Sequence, residues 1–250
     1  QQPMNTIITN AIGTCNLLEA LKNYSYSCNV VLITSDKVYK NKEWIWGYRE
    51  NDTLGGNDPY SASKAMAEIA IQSYLNTYDF LAKNIRISVA RAGNVIGGGD
   101  WSEDRIIPDL IRSIKLNNPL LIRSPKATRP WQHVLDPLFG YMQLAKTLSI
   151  NTSIHGECFN FGPPIQESRT VESICLQVKN IIPEVKFSFN EESNIECNLL
   201  QLDCSKCKNV LNYSSRFDSY QAVDMTTSWY KEFMKEKSNL IELTDKQIKI

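Results

Sequence analysis

Two short runs hold the residues of this chain best equipped for acid–base chemistry: Ser35-Asp36-Lys37 and Tyr60-Ser-Ala-Ser-Lys64. Four residues is about one helical turn, so Tyr60 and Lys64 share a helix face. An ammonium beside a phenol favours the phenolate, which lets a tyrosine act as a general base near neutral pH. Of the 11 tyrosines, Tyr60 alone has a lysine four residues later. Chance could still supply one such pair, so its context must decide. Asp36 and Lys37 add an acid and an amine, and Ser35 adds a hydroxyl able to bond the same substrate oxygen.

These side chains need elements to carry them. Residues 29–34 hold the apolar run Val30-Val31-Leu32-Ile33, which suits a strand buried on both faces of a parallel sheet. Ser35-Asp36-Lys37 follows it directly, at the carboxyl end where open α/β sheets bind ligands. Residues 61–78 read as a helix, as do 6–21, and Ile85–Ala92 reads as a second buried strand. Alternating helix and strand predicts an α/β fold with a mostly parallel sheet. Beyond Gly93 the texture changes to Gly97-Gly98-Gly99 and proline-containing loops. Helices are expected over 105–116, 136–148, 170–182 and 219–237, and 236–250 reads as a charged, irregular tail. No repeat or low-complexity tract is present.

Composition bounds the function. The 250 residues are 42% hydrophobic, and 27 basic side chains balance 27 acidic ones. A neutral chain lacks the basic surplus of a nucleic-acid binder. No apolar run approaches the roughly 20 residues that span a bilayer, and Gln1-Gln2-Pro3 does not open like a signal peptide. Seven scattered cysteines, an odd number, predict a reduced, cytoplasmic protein. Cys204-Ser-Lys-Cys207 has the spacing of a metal pair but no second pair and no nearby histidine, so no metal site is expected.

Together the strand ending in Ser35, the Tyr60/Lys64 helix and the second strand resemble the extended short-chain dehydrogenase/reductase family over nearly the whole chain. Within it the stretches TSDKVY (34–39), GYREND (47–52), DPYSASK (58–64), RAGNVIGGGDW (91–101), RPWQHV (129–134) and NFGP (160–163) look most like the nucleotide-sugar dehydratases. Asp36-Lys37 resembles the cytidine-sugar branch, whereas the thymidine-sugar branch has Asp-Glu there and epimerases have inert residues.

The resemblance implies a Rossmann-like, doubly wound, mostly parallel sheet with a smaller α/β substrate domain. Residues 1–92 would be the remainder of the NAD-binding domain. Residues 93–250 would mainly bind nucleotide sugar, with some segments returning to the sheet. It implies NAD as cofactor, held in part by Asn10, Tyr60 and Lys64, and catalysis by Ser35, Asp36, Lys37, Tyr60 and Lys64. It places Asn94, Arg105, Arg129 and His133 on the substrate. Asn94 equally suits a plain turn, an Arg129 fork suits a diphosphate, and Trp101 and Trp131 could stack on a ring or pack a core. Trp44 and Trp46 suit a surface loop. A homodimer through helices 6–21 and 61–78 is implied as well. None of the 11 glycines forms the family's GxxGxxG turn, so the first βαβ units are expected upstream of Gln1. The fragment alone is therefore not expected to be a competent NAD enzyme. Other nucleotide-sugar dehydratases, a 4-epimerase and a non-catalytic nucleotide-sugar binder remain alternative readings.

Overall fold

β-Branched and small residues dominate Ile85–Ala92, and the computed structural model, which describes residues 2–190, 199–235 and 239–250, buries nearly all of that strand. It is the middle of a three-stranded sheet, pairing in parallel with Cys28–Ile33 and with Cys158–Phe161. Ile33 lies opposite Ala90, and Arg91 lies opposite Asn160. Cys28–Ile33 departs from expectation: among the described residues it is an edge strand, and Ile33 is 53% exposed. The middle strand and the opposite edge strand, Cys158–Phe161, are the ones covered on both faces.

Side chains alternate across a strand, and two cores follow from this one. Ile85, Ile87 and Val89 pack with Leu18, Leu21, Ile71 and Phe80. Ala90 and Ala92 pack with Leu144, Leu148, Phe159, Phe161 and Leu211. Helix Pro59–Thr77 begins with Pro59, whose missing N–H costs nothing in a first turn. The amino-terminal helix is broken differently from its sequence pattern: Pro3–Ile7 and Gly13–Lys22 flank a π-helical turn, Ile8–Ile12.

The chain divides into two compact units. The first comprises Gln1–Gly93, Leu138–Phe161 and Leu202–Ser214, and contains the sheet. The second comprises Asn94–Pro137, Gly162–Gln201 and Ser215–Ile250. Its core joins Ile107, Leu110 and Ile111 to Ile174, Val178, Val223 and Tyr230, on helices Ile106–Leu116, Val171–Ile181 and Ser219–Phe233. Three short strand pairs complete it: Val95–Ile96 with Gln132–His133, Leu120–Ile122 with Phe187–Phe189, and Thr128–Arg129 with Arg169–Thr170.

The expected irregular tail is corrected: Leu240–Ile248 is a helix. Asn239 caps it, Lys246 pairs with Glu242 at 2.7 Å, and buried Gln247 donates to the Met225 carbonyl at 2.9 Å. Residues 236–238, where the preceding helix was expected to end, lie outside the described residues.

Candidate active site

The first unit holds the acid–base residues. Thr34 continues the sheet ladder, its N–H donating to the Ala90 carbonyl at 2.8 Å. Ser35 is extended and starts a 3₁₀ turn, Asp36–Val38, by accepting from the Lys37 N–H at 3.2 Å. Its hydroxyl donates to Asp36 Oδ1 at 3.0 Å. Asp36 is 2% exposed, and its Oδ2 has no partner among the described residues. A buried carboxylate oxygen left open is costly in a folded core, and it suits a group that meets a ligand or gives up a proton.

That turn packs against helix Pro59–Thr77. Asp58 caps the helix, accepting from the N–H groups of Tyr60 at 2.9 Å and Ser61 at 3.0 Å and from the Ser61 hydroxyl at 2.5 Å. Burial pulls the Asp58 carboxyl up, but these hydrogen bonds and the charge of Lys37 outweigh it and hold it below the ordinary value. Lys37 is thus within electrostatic reach of the residue that seats Tyr60. Gly56 permits the approach, because a Cβ there would fall 2.4 Å from that of Ser61.

Tyr60 is 44% exposed. Lys64 is half-buried, donates no hydrogen bond among the described residues, and has its ammonium pulled below the ordinary lysine value by burial, with Glu68 opposing. An accessible phenol and an amine with open donors on one helix face fit the nicotinamide-ribose end of a dinucleotide. Asn10, in the π-helical turn, donates to Ser63 Oγ at 2.9 Å, and Ser63 donates to the Tyr60 carbonyl at 2.7 Å. π-Turns inside helices recur at functional sites.

The second unit holds the residues expected on the nucleotide sugar. Asn94, Arg105 and Arg129 line one cavity of about 230 Å³, with apolar walls that include Leu120, Ile122 and Trp131. Arg105 stands at the amino end of helix Ile106–Leu116. Arg129 is buried and donates to the Thr128 carbonyl at 2.8 Å. His133 does not line this cavity. It is 2% exposed, edge-on to Phe217 at 5.8 Å, and burial pushes its imidazole down to about 4. Trp131 is a core residue whose indole N–H donates to the Arg169 carbonyl at 3.1 Å. Trp101 packs against Tyr230 and Phe233.

The model of the GDP-mannose 4,6 dehydratase family matches residues 1–226. The chain belongs to this family. It is 39% identical over 247 residues to a CDP-glucose 4,6-dehydratase of Salmonella typhimurium, covering 96% of this chain and 69% of that protein. A dTDP-glucose 4,6-dehydratase of Haemophilus influenzae is 25% identical over 243 residues, 89% of this chain and 69% of its own length. The crystal structure of UDP-glucuronic acid 4-epimerase from Bacillus cereus, in complex with UDP-glucuronic acid and NAD, superposes with a TM-score of 0.76 at 22% identity, over 90% of this chain and 68% of that one. At that identity the likeness concerns the fold. The expected dehydrogenase/reductase architecture and the resemblance to cytidine-sugar dehydratases are both borne out.

One part of the candidate site was not visible in the motifs. Glu68 and Arg91, 1% and 2% exposed, form an ion pair behind the Ser35–Asp36–Lys37 turn. Arg91 Nη1 also donates to Tyr39 Oη at 2.8 Å, and Tyr39 donates to Asn160 Oδ1 at 2.7 Å. The signal was present: Arg91 lies between two alanines in a strand expected to be buried, and a charge buried there requires a partner.

Proposed function

We propose that this protein removes water from CDP-glucose to give CDP-4-dehydro-6-deoxyglucose, with NAD reduced and reoxidised within one cycle, as a step in deoxysugar synthesis. The observation that carries the reading is the open oxygen of buried Asp36, on a turn packed against the helix of Tyr60 and Lys64. An epimerase has no use for an acid there; an elimination has.

Tyr60 and Lys64, with Asn10 behind them, would hold the nicotinamide ribose; no glycine turn for the pyrophosphate occurs in the sequence. Bound NAD supplies a hydride acceptor at sugar carbon 4 and a hydride donor at carbon 6. Tyr60, helped by Ser35, takes the proton of the carbon 4 hydroxyl as that carbon is oxidised. The ketone acidifies the hydrogen on carbon 5. Lys37 assists loss of that proton, and Asp36 protonates the hydroxyl leaving carbon 6. Asn94, Arg105 and Arg129 bind the nucleotide diphosphate, Arg129 through its planar fork. His133, buried against Phe217 and away from the cavity, is left out of the substrate contacts.

Two features support further parts of the reading. Met4, Ile8, Ile12, Leu17, Met66 and Ile69 are 45–65% exposed on helices that would pair with a second copy in a homodimer. Such a patch marks an association site. The six described cysteines are free, which suits the cytoplasm, and no described helix is long and apolar enough to cross a membrane.

The test is mass and NMR analysis of full-length protein given CDP-glucose, dTDP-glucose, GDP-mannose or UDP-glucose in turn. CDP-glucose should lose one water and gain a carbon 6 methyl group fastest. Preference for another nucleotide would overturn the cytidine assignment, and carbon 4 inversion without water loss would make the protein an epimerase.

A further inference from the structure

We infer that Glu68 is a positioning residue that fixes the helix of Tyr60 and Lys64 against the carboxyl ends of the strands. Its carboxylate gathers donors from three sheet segments. Thr34, immediately before Ser35, donates its hydroxyl to Oε1 at 2.5 Å. Arg91, on the central strand, donates from Nε at 2.8 and 3.0 Å and again from Nη2. The Cys158 thiol of the third strand lies 3.9 Å from Oε2. A carboxylate with this many fixed donors defines both the height and the rotation of its helix. Glu68 is one turn past Lys64 and two past Tyr60, so that definition passes to both.

Glu68 also acts on Lys64 by charge. Burial lowers the ammonium, and Glu68 is the group that offsets it. Other titratable groups face elsewhere. Lys37, on the packed turn, acts on Asp58, while Asp36 bonds Ser35. Glu19, Cys15 and Lys22, on the amino-terminal helix, act on Tyr74, and Lys22 also on Tyr78. Arg91 faces Glu68 and Tyr39. Keeping Lys64 charged keeps Tyr60 a usable base.

The inference rests on the acid–base roles proposed above, and the experiment separates the two. In full-length protein, Glu68→Gln with Arg91→Gln removes the charges together and leaves no unpaired buried ion. Thr34→Val removes one hydroxyl and leaves the ion pair. Lys64 titration is followed by NMR of labelled lysine, assigned with Lys64→Arg, and needs no substrate. Glu68→Gln alone, which removes the carboxylate and keeps the Arg91 charge, should titrate Lys64 lower. The double variant and Thr34→Val should each lower kcat about tenfold with KM within about twofold, as expected when transition-state geometry is lost. A folded Glu68→Gln variant with unchanged Lys64 titration would overturn the electrostatic role. Thr34→Val with unchanged kcat would overturn the positioning role, even if the double variant fails to fold. A wild-type protein that turns over no nucleotide sugar would instead refute the functional reading, and the Lys64 titration would still decide the role of Glu68.

Discussion

Asn10 Nδ2 donates to Ser63 Oγ at 2.9 Å, and Ser63 in turn bonds the backbone of Tyr60 at 2.7 Å. A residue 53 positions upstream in the chain therefore steadies the first turn of the helix that carries the phenol. Asn10→Ala should cost about 1 kcal/mol of stability, the usual net worth of one hydrogen bond. If the contact also sets Tyr60, turnover should fall about tenfold, equivalent to about 1.4 kcal/mol of barrier. Denaturant titration and steady-state kinetics measure the two separately; unchanged turnover would confine Asn10 to a structural role.

Asp36→Asn and Lys37→Ala should block elimination more than oxidation. In the proposed scheme hydride removal from carbon 4 draws on Tyr60 and Lys64, which neither change touches. Loss of hydroxide from carbon 6 needs a delivered proton, worth about a hundred- to ten-thousand-fold in rate. In a single turnover the variants should accumulate reduced-nicotinamide absorbance and form little 6-deoxy product. Product at the wild-type rate would remove both residues from the acid–base scheme.

Asp58→Ala should destabilise the protein by about 1 kcal/mol through the lost cap. Asp58→Asn keeps a capping oxygen and should recover most of that stability. It still removes the charge that faces Lys37. Thermal melts report the cap, and single-turnover elimination reports Lys37. Equal melting of the Ala and Asn variants would contradict the capping account.

His133 predicts an acid limb in stability. Its imidazole titrates near 4 when folded, against an ordinary value of 6.5. Between those values the unfolded chain binds more protons, so stability rises with pH across this window. The contribution is complete above about pH 6.5 and is lost as pH falls towards 4, amounting to about 3 kcal/mol. His155 is shifted in the same direction by burial and adds to the slope. Urea unfolding followed by tryptophan fluorescence should show His133→Gln with a shallower limb than wild type. Identical limbs would mean that His133 is not buried in its neutral form.

Much of the candidate site in the first unit was legible because the signals were local. A Ser-Asp-Lys run after an apolar strand, and a tyrosine and lysine one turn apart behind a proline, need only chain geometry to interpret. Ile85–Ala92 was equally clear, since it is a short run rich in β-branched and small residues that ends at Gly93. Long-range features were not. The π-helical turn at Ile8–Ile12 shifts backbone hydrogen bonds while barely altering side-chain spacing. Leu240–Ile248 was hidden because it buries Gln247 and exposes Ile241 and Ile248, an inverted apolar pattern. His133 sits in a motif that promises ligand contact, yet its side chain points into a core that no spacing rule reveals. Glu68 and Arg91 are 23 residues apart, and only the strand–helix crossover makes them partners.

The most direct test of the account follows the hydrogen on carbon 4. Full-length protein with NAD is given CDP-glucose deuterated at that carbon, and the product is examined by NMR and mass spectrometry. Internal hydride return at carbon 6, with Tyr60 as base and Asp36 as acid, predicts a product one water lighter that carries the deuterium in its new carbon 6 methyl group. A product of unchanged mass with deuterium restored to carbon 4 in the opposite configuration, or no reaction with NAD bound, would contradict it.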